Sequence, residues 1–245
     1  MSSQRSSLRW VTLLVVVLLV IGGFVLADRI AARVAAHEMS KRLGEHQPFT
    51  TAPKVTIKGF PFFTQALRGV YSDIAVSGDQ VSVATRSGER ISDLSFSASL
   101  HGAHLRLADA LGGQVAEVPV DKIDGKLTVP FDQLDKLADK SVTFGHVGSD
   151  IVVTGSVTLP VVGKVTGNAV GTFTFVDGRL AVHLTSARLI GVPLPANLVQ
   201  NVINSLTPRL DLPTLPYKLQ VTDVRASDAG VTFYGEADDV VLITS

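Results

Sequence analysis

A strand pattern breaks and restarts within residues 55–76, and this break constrains the fold more than any other feature of the sequence. Gly59 permits a backbone conformation that a Cβ atom would strain, and Pro61 lacks the N–H group that a strand ladder needs. Four apolar side chains then fall on one side of a helical turn: Phe62, Phe63, Ala66 and Leu67. The stretch therefore predicts a strand, a turn at Gly59, a short apolar helix and a second strand.

An apolar run covers residues 10–26 without a single charge, and as a helix it would be about 25 Å long. Arg5 and Arg9 precede it with no acidic residue, so the N-terminus is expected in the cytoplasm and the rest of the chain outside it. The run is either a retained anchor or a signal peptide cut after Ala27, and its length slightly favours the anchor. We therefore divide the chain into residues 1–27, the anchor or signal, and residues 28–245, an exported domain.

Alternating apolar and polar residues dominate the sequence from Val70 onward and predict long antiparallel strands with one apolar face. Asp177 and Gly178 accept the positive φ angles of a two-residue hairpin loop. The clearest strand patterns are Val70/Ser72/Ile74/Val76, Leu94/Phe96/Ala98/Leu100, Ile123/Gly125/Leu127/Val129 and Val170/Thr172/Thr174/Val176.

Helices are predicted at three further places. Residues 28–43 follow the apolar run, with Asp28 as the expected N-cap, and residues 130–138 begin with Pro130 in the first turn. Residues 189–196 repeat the order of strand, glycine, apolar residue and proline seen at 57–64, either as a weak internal repeat or by chance. The helix that follows, 196–206, has a broad apolar face that includes Leu198, Val202 and Leu206.

These elements predict an α+β fold in which a long, curved antiparallel sheet wraps around helices. Two interiors are compatible with it: a core filled by side chains, or a tunnel that holds acyl chains. From the residues alone the filled core is the better interpretation, because most apolar faces are packed against other side chains.

The sequence has no recognisable catalytic or cofactor-binding motif. The absence of cysteine excludes disulfides, a thiol nucleophile and cysteine zinc sites. His101 and His104 lack a third metal ligand nearby, and His146 with Ser149 and Asp150 is typical of a polar turn rather than a triad. Basic and acidic residues number 22 each, which disfavours non-specific nucleic-acid binding. We predict no catalytic residue, no metal and no cofactor.

Residues 59–76 read Gly-Phe-Pro-Phe-Phe-Thr-Gln-x-Leu-x-Gly-x-Tyr-x-Asp-Ile-x-Val, and this string resembles the signature of the LmeA-type family of actinobacterial cell-envelope proteins. The order of an N-terminal apolar segment, a helix and a late Gly-x-Pro turn is also similar. The resemblance implies a lipid-binding fold like that of the tubular BPI-like (TULIP) proteins, on the periplasmic side of the inner membrane. It reverses the preference for a filled core.

The resemblance also implies a ligand and a role. The ligand would be a phospholipid, phosphatidylinositol or its mannosides, and the role would be to support mannan-chain elongation of lipomannan and lipoarabinomannan, with envelope mannosyltransferases as further partners. The side chains expected to contact lipid are Phe60, Phe62, Phe63, Leu67, Leu198, Val202 and Leu206.

Two other functions stay open at this point. An enzyme that modifies envelope glycolipids would need acidic residues that converge in a cleft, and no spacing in the sequence indicates one. An adaptor that binds a membrane mannosyltransferase through a sheet edge would carry no lipid of its own.

Overall fold

The computed structural model describes residues 4–44, 51–84, 90–106, 109, 117–137, 142–159, 163–176, 179–189, 192–193 and 219–243. The helices are α1 (Gln4–Gly44), α2 (Phe62–Arg68) and α3 (Phe131–Leu137). The strands are β1 (Lys54–Lys58), β2 (Val70–Ala84), β3 (Arg90–His104), β4 (Glu117–Val129), β5 (Val142–Val147), β6 (Asp150–Leu159), β7 (Gly163–Val176), β8 (Arg179–Leu189), β9 (Val192–Pro193), β10 (Gln220–Ser227) and β11 (Gly230–Ile243).

The strands form two antiparallel sheets. The first sheet has the order β1-β2-β3-β4-β11-β10, and the second has the order β5-β6-β7-β8-β9. The predicted α+β class with long antiparallel strands is confirmed. Strand β11 pairs with β4, so the C-terminal hairpin of β10 and β11 belongs to the first sheet. The five strands that lie between β4 and β10 in sequence form the second sheet.

Two apolar cores occupy opposite ends of the first sheet. One core packs the second half of α1 and Phe62 of α2 against β1, β2, β3, β4 and β11. The other packs α3 and the start of the second sheet against the far ends of β3, β4 and β11. The same face of the first sheet therefore contributes to both cores.

Helix α1 is continuous from Gln4 to Gly44, so the prediction of a separate helix that begins at Asp28 is wrong. No glycine or proline interrupts residues 24–43, and the helical hydrogen bonds simply continue. The apolar residues 10–26 are exposed, whereas Ala32, Ala35 and Ala36 are buried against the domain. Among the described residues, this helix is long and apolar enough to cross a membrane.

The start of β2 corrects one predicted strand face. The alternation placed Val70 on the same face as Ile74, but Tyr71 lies in the core while Val70 is exposed. The inward-facing positions shift by one residue at Ser72, opposite Gly102 of β3, whose φ of 62° lies in the left-handed region. Such a residue twists a strand locally and redirects the side chains that follow.

Other predicted elements are recovered. The strand, the turn and the short helix at 54–68 are confirmed. The helix predicted at 130–138 is also present, but it begins at Phe131, so Pro130 precedes it instead of lying in its first turn. The Asp177-Gly178 loop and the helix at 196–206 lie outside the described residues.

A histidine joins the two sheets. His146 on β5 has its Nδ1 3.0 Å from the Gly148 carbonyl and its Nε2 2.9 Å from Oδ1 of Asp228, in the turn between β10 and β11. Both partners are acceptors, so only the doubly protonated imidazolium donates to both. The Gly148 carbonyl, and then the Asp228 carboxylate, raise the pKa of His146 above its ordinary value.

This contact predicts a pH-dependent stability. Because the pKa of His146 is raised by folding, its contribution is complete below the unfolded pKa of about 6.5 and is lost as the pH rises through the folded pKa. We expect a small decrease in Tm across that range, since the pair is exposed to solvent. Circular dichroism melts of the full chain in detergent should show the decrease, and Asp228→Asn should reduce it. An identical pH profile in both proteins would contradict this assignment.

Candidate functional site

The turn after β1 is held by one glutamine. Gly59 has a φ of 90°, and the Phe60–Pro61 peptide bond is cis. The Gln65 amide donates to the Lys58 carbonyl (3.3 Å) and accepts from the backbone N–H (2.9 Å) and the hydroxyl (3.1 Å) of Ser72. One side chain of α2 thus ties together the end of β1 and the beginning of β2.

Helix α2 is fastened to α1 by a buried carboxylate. Asp28 is fully buried, and its Oδ1 accepts a hydrogen bond from the Phe63 backbone N–H at 3.0 Å. The Arg29 guanidinium lies 3.7 Å from the other oxygen of Asp28 and donates to the Gly59 carbonyl at 3.0 Å. Asp28, predicted to cap its own helix, instead satisfies a backbone donor in the first turn of α2.

Several aromatic side chains pack around the contact between α1 and α2. Phe62 is buried, with ring centroids 6.1 Å from Phe63 and 6.3 Å from Tyr71. The Phe63 ring also lies 6.1 Å from the ring of Phe24, which belongs to the apolar run of α1. Burial raises the pKa of the Tyr71 phenol.

The outer side of α2 is apolar and exposed. Phe60 is 54% exposed, Phe63 is 39% exposed and Leu67 is 88% exposed. The Arg29 guanidinium lies over the Phe60 ring, 5.1 Å from its centroid. We call Phe60, Phe63 and Leu67 the α2 surface.

A second apolar feature crosses the face of the first sheet at the edge of the first core, against which its Val76 and Ala98 pack. Val76, Ala98, Gly125, Gly235 and Val221 are consecutive partners on β2, β3, β4, β11 and β10. We call these five residues the small-residue row. All except the buried Gly235 are half-buried, and Leu219 contributes the side chain nearest to the Gly125–Gly235 pair.

The predicted lipid-contacting residues fall into three groups: exposed on α2, buried in the core, and outside the described residues. Phe60, Phe63 and Leu67 come together on the α2 surface, and Phe62 lies behind them in the core. Leu198, Val202 and Leu206 lie outside the described residues. Sequence reasoning missed Arg29 and Phe24 as neighbours of this surface and missed the small-residue row, which only strand register brings together.

The histidines flagged in the sequence have carboxylate partners. His101 lies 2.9 Å from Asp124, and His104 lies 3.2 Å from Asp121. No group of three or more potential metal-ligating residues occurs in the part of the chain that the structure describes. These are ordinary surface contacts between side chains of neighbouring strands.

A family model described as LmeA-like phospholipid-binding matches residues 26–236. The chain belongs to this family. The match covers both the α2 surface and the small-residue row, and it confirms the resemblance of residues 59–76. No curated protein and no solved structure matches the chain. Membership of the LmeA-like family supports phospholipid binding, and the family is a lipid-binding family rather than an enzyme family.

Proposed function

We propose that this LmeA-like protein binds a phosphatidylinositol-type phospholipid on the periplasmic side of the inner membrane and supports mannan-chain elongation of lipomannan and lipoarabinomannan. The observation that carries the lipid-binding part is the small-residue row, which is mostly half-buried on an apolar sheet face at the edge of the first core. The headgroup and the pathway follow from the sequence resemblance.

The side chains of the small-residue row fill little of the space above the sheet. A layer packed on a sheet face lies about 10 Å away, and side chains normally fill that distance. Ala98, Gly125 and Gly235 are directly paired on adjacent strands, and together they contribute only one methyl group. An acyl chain across this row would fill the space that these residues leave and would contact the half-buried Leu127 and Val76.

The energy of such binding is sufficient without any charged contact. At about 0.8 kcal/mol per buried methylene, an acyl chain of roughly sixteen carbons offers about 10 kcal/mol before the cost of immobilisation. The balanced charge of the chain does not oppose this binding. Shape and apolar area therefore account for the affinity in this proposal.

The remaining predicted residues have distinct roles in the proposal. Phe60, Phe63 and Leu67 contact lipid at the α1 end of the sheet, and Phe62 supports them from the core. Leu198, Val202 and Leu206 are proposed to line the acyl chain from a helix outside the described residues. Envelope mannosyltransferases are the proposed users of the bound lipid.

Photocrosslinking tests lipid binding directly. The full chain is reconstituted in phosphatidylcholine vesicles that contain a trace of phosphatidylinositol with a diazirine on one acyl chain. We expect crosslinked peptides from β3 and β4 around Ala98 and Leu127, and we expect competition by unlabelled phosphatidylinositol but not by added phosphatidylcholine. Crosslinks confined to residues 10–26 would reject the site. Loss of the site together with retained capture of a mannosyltransferase would favour the adaptor function.

Adjacent positions on β4 provide a matched pair of variants. A Cβ atom at Gly125 would lie 3.7 Å from Leu219, an ordinary contact, so Gly125→Phe adds an aromatic ring over the small-residue row. Lys126 is exposed on the opposite face, and Lys126→Phe adds the same ring there. We expect Gly125→Phe to reduce crosslinking several-fold and Lys126→Phe to leave it unchanged. Complementation of mannan-chain length in cells that lack the protein should follow the same order.

A further inference from the structure

The α2 surface lies beside the end of the apolar run of α1. A hydrocarbon core of about 30 Å requires about 20 helical residues, so a span that begins at Trp10 ends near Arg29. Phe24 then lies within the outer part of the span, and Arg29 lies at its boundary. The position of α2 relative to these two residues fixes its depth.

Three contacts hold α2 at that depth. The Phe63 ring lies against Phe24, the Phe60 ring lies under the Arg29 guanidinium, and the Phe63 backbone donates to the buried Asp28. These contacts involve successive turns of one rigid helix. The α2 surface therefore lies level with α1 residues 24–29, where the span leaves the membrane.

The chemistry of the surface matches the interfacial region of a bilayer. Phe60, Phe63 and Leu67 present exposed apolar groups, and Leu67 at 88% exposure has almost no protein around it. Arg29 lies beside Phe60, and the exposed Arg68 follows Leu67 in the last turn of α2. Apolar groups bordered by arginines fit an acyl-chain boundary overlaid by anionic phosphates.

We propose that the α2 surface inserts into the outer leaflet of the same membrane that α1 crosses, with Arg29 and Arg68 at the level of the lipid phosphates. The domain is then held against the bilayer by two elements, α1 and α2, instead of moving freely on a single anchor. This inference takes the apolar run of α1 as a retained anchor, which is the alternative that its length favours, and does not require phosphatidylinositol binding at the small-residue row.

Depth-dependent fluorescence quenching tests the insertion. The chain has no cysteine, so Leu67→Cys provides a unique site for the fluorophore NBD. Val147→Cys is the matched control, because Val147 is also an exposed apolar residue (66%) but lies on β5 of the second sheet. Leu18→Cys, in the middle of the run, reports whether α1 spans the vesicle membrane. All three full-length variants are reconstituted in vesicles of phosphatidylcholine and phosphatidylglycerol that carry a nitroxide on an acyl chain.

We expect strong quenching by the nitroxide lipid at positions 18 and 67 and little at position 147. Quenching at 18 but not at 67 would overturn the insertion while leaving the anchor intact. A label at 67 that is shielded from aqueous iodide but not quenched by the nitroxide lipid would show that protein, not lipid, covers the surface. No quenching at 18 would remove the anchor and the inference with it. Crosslinking at the small-residue row is read separately, so lipid binding and insertion can fail independently.

A second pair of variants measures the contribution of one side chain. Thr64 is an exposed polar residue of α2, and Thr64→Cys carries the fluorophore as the reporter. Withdrawing one leucine side chain from the leaflet should lower the ratio of inserted to free α2 about tenfold, so Leu67→Ser should decrease quenching of this reporter. Val147→Ser should not change it. Because Leu67 is exposed, its substitution leaves the fold intact, and equal quenching in all variants would contradict insertion.

Discussion

Replacing Gly59 by valine should lower the free energy of unfolding of the domain by about 2–4 kcal/mol. A Cβ atom at this position would lie 2.5 Å from the Ser72 hydroxyl and 2.7 Å from the Gln65 amide nitrogen, and the φ of 90° disfavours any side chain. A β-branched residue adds further strain. The substitution would therefore break the Gln65 hydrogen bonds that hold the turn. Urea denaturation of the full chain in detergent, followed by circular dichroism, measures the loss.

Two other glycines separate the causes of this effect. Gly148 also has a positive φ (64°), but nothing lies within 4 Å of its Cβ position. Gly145 has open space around its Cβ position and an ordinary strand backbone. Alanine substitutions should therefore rank Gly59 as the most destabilising, Gly148 as intermediate at about 1 kcal/mol and Gly145 as nearly neutral. Equal losses at Gly59 and Gly148 would show that crowding at Gly59 is unimportant.

The region around Gly59 could be predicted because its structure is determined locally. Glycine and proline restrict their own backbone angles, and the apolar spacing that follows indicates a helix without reference to distant residues. The same applies to α3, which starts directly after Pro130. For these segments, short-range preferences and the final fold agree.

Long-range register explains what the sequence did not reveal. All five strands of the second sheet lie between Gly125 and Gly235 in sequence, yet β11 pairs directly with β4 at these two residues. Neither strand pattern alone indicates that the two glycines are neighbours. The small-residue row can be recognised only when the pairing of β11 with β4 is known. The burial of Tyr71 in place of Val70 also depends on another strand. The inward-facing positions of β2 shift at Ser72, which lies opposite the left-handed Gly102 of β3.

The burial of residues on α2, at the candidate site, also depends on long-range contacts. The sequence placed Phe62, Phe63 and Leu67 on one side of a helix, but it could not distinguish the buried Phe62 from the exposed Leu67. That distinction depends on the position of α1, which covers one side of α2 and leaves the other uncovered. A continuous α1 was not predicted, because Asp28 after an apolar run is also typical of a new helix N-terminus.

Asp28→Ala should therefore lower the free energy of unfolding by about 1.5–3 kcal/mol and should also release α2 from α1. The substitution leaves the Phe63 N–H without its acceptor and removes the carboxylate beside Arg29. Urea denaturation of the full chain in detergent measures the loss of stability. Nitroxide-lipid quenching of a label at position 67 reports whether α2 stays attached to α1. We expect both the free energy of unfolding and the quenching to fall.

Asp28→Asn is the matched control, because its amide oxygen has the same shape and can still accept the hydrogen bond from Phe63. It should lose less stability than alanine and should keep most of the quenching at position 67. If both variants unfold at the same urea concentration as the parent chain, the Asp28–Phe63 hydrogen bond does not stabilise the fold. If alanine destabilises the domain without changing the quenching, α2 is positioned by the Phe24–Phe63 and Arg29–Phe60 contacts. The hydrogen bond would then contribute to stability alone, and the aromatic contacts with α1 would set the depth of α2 in the membrane.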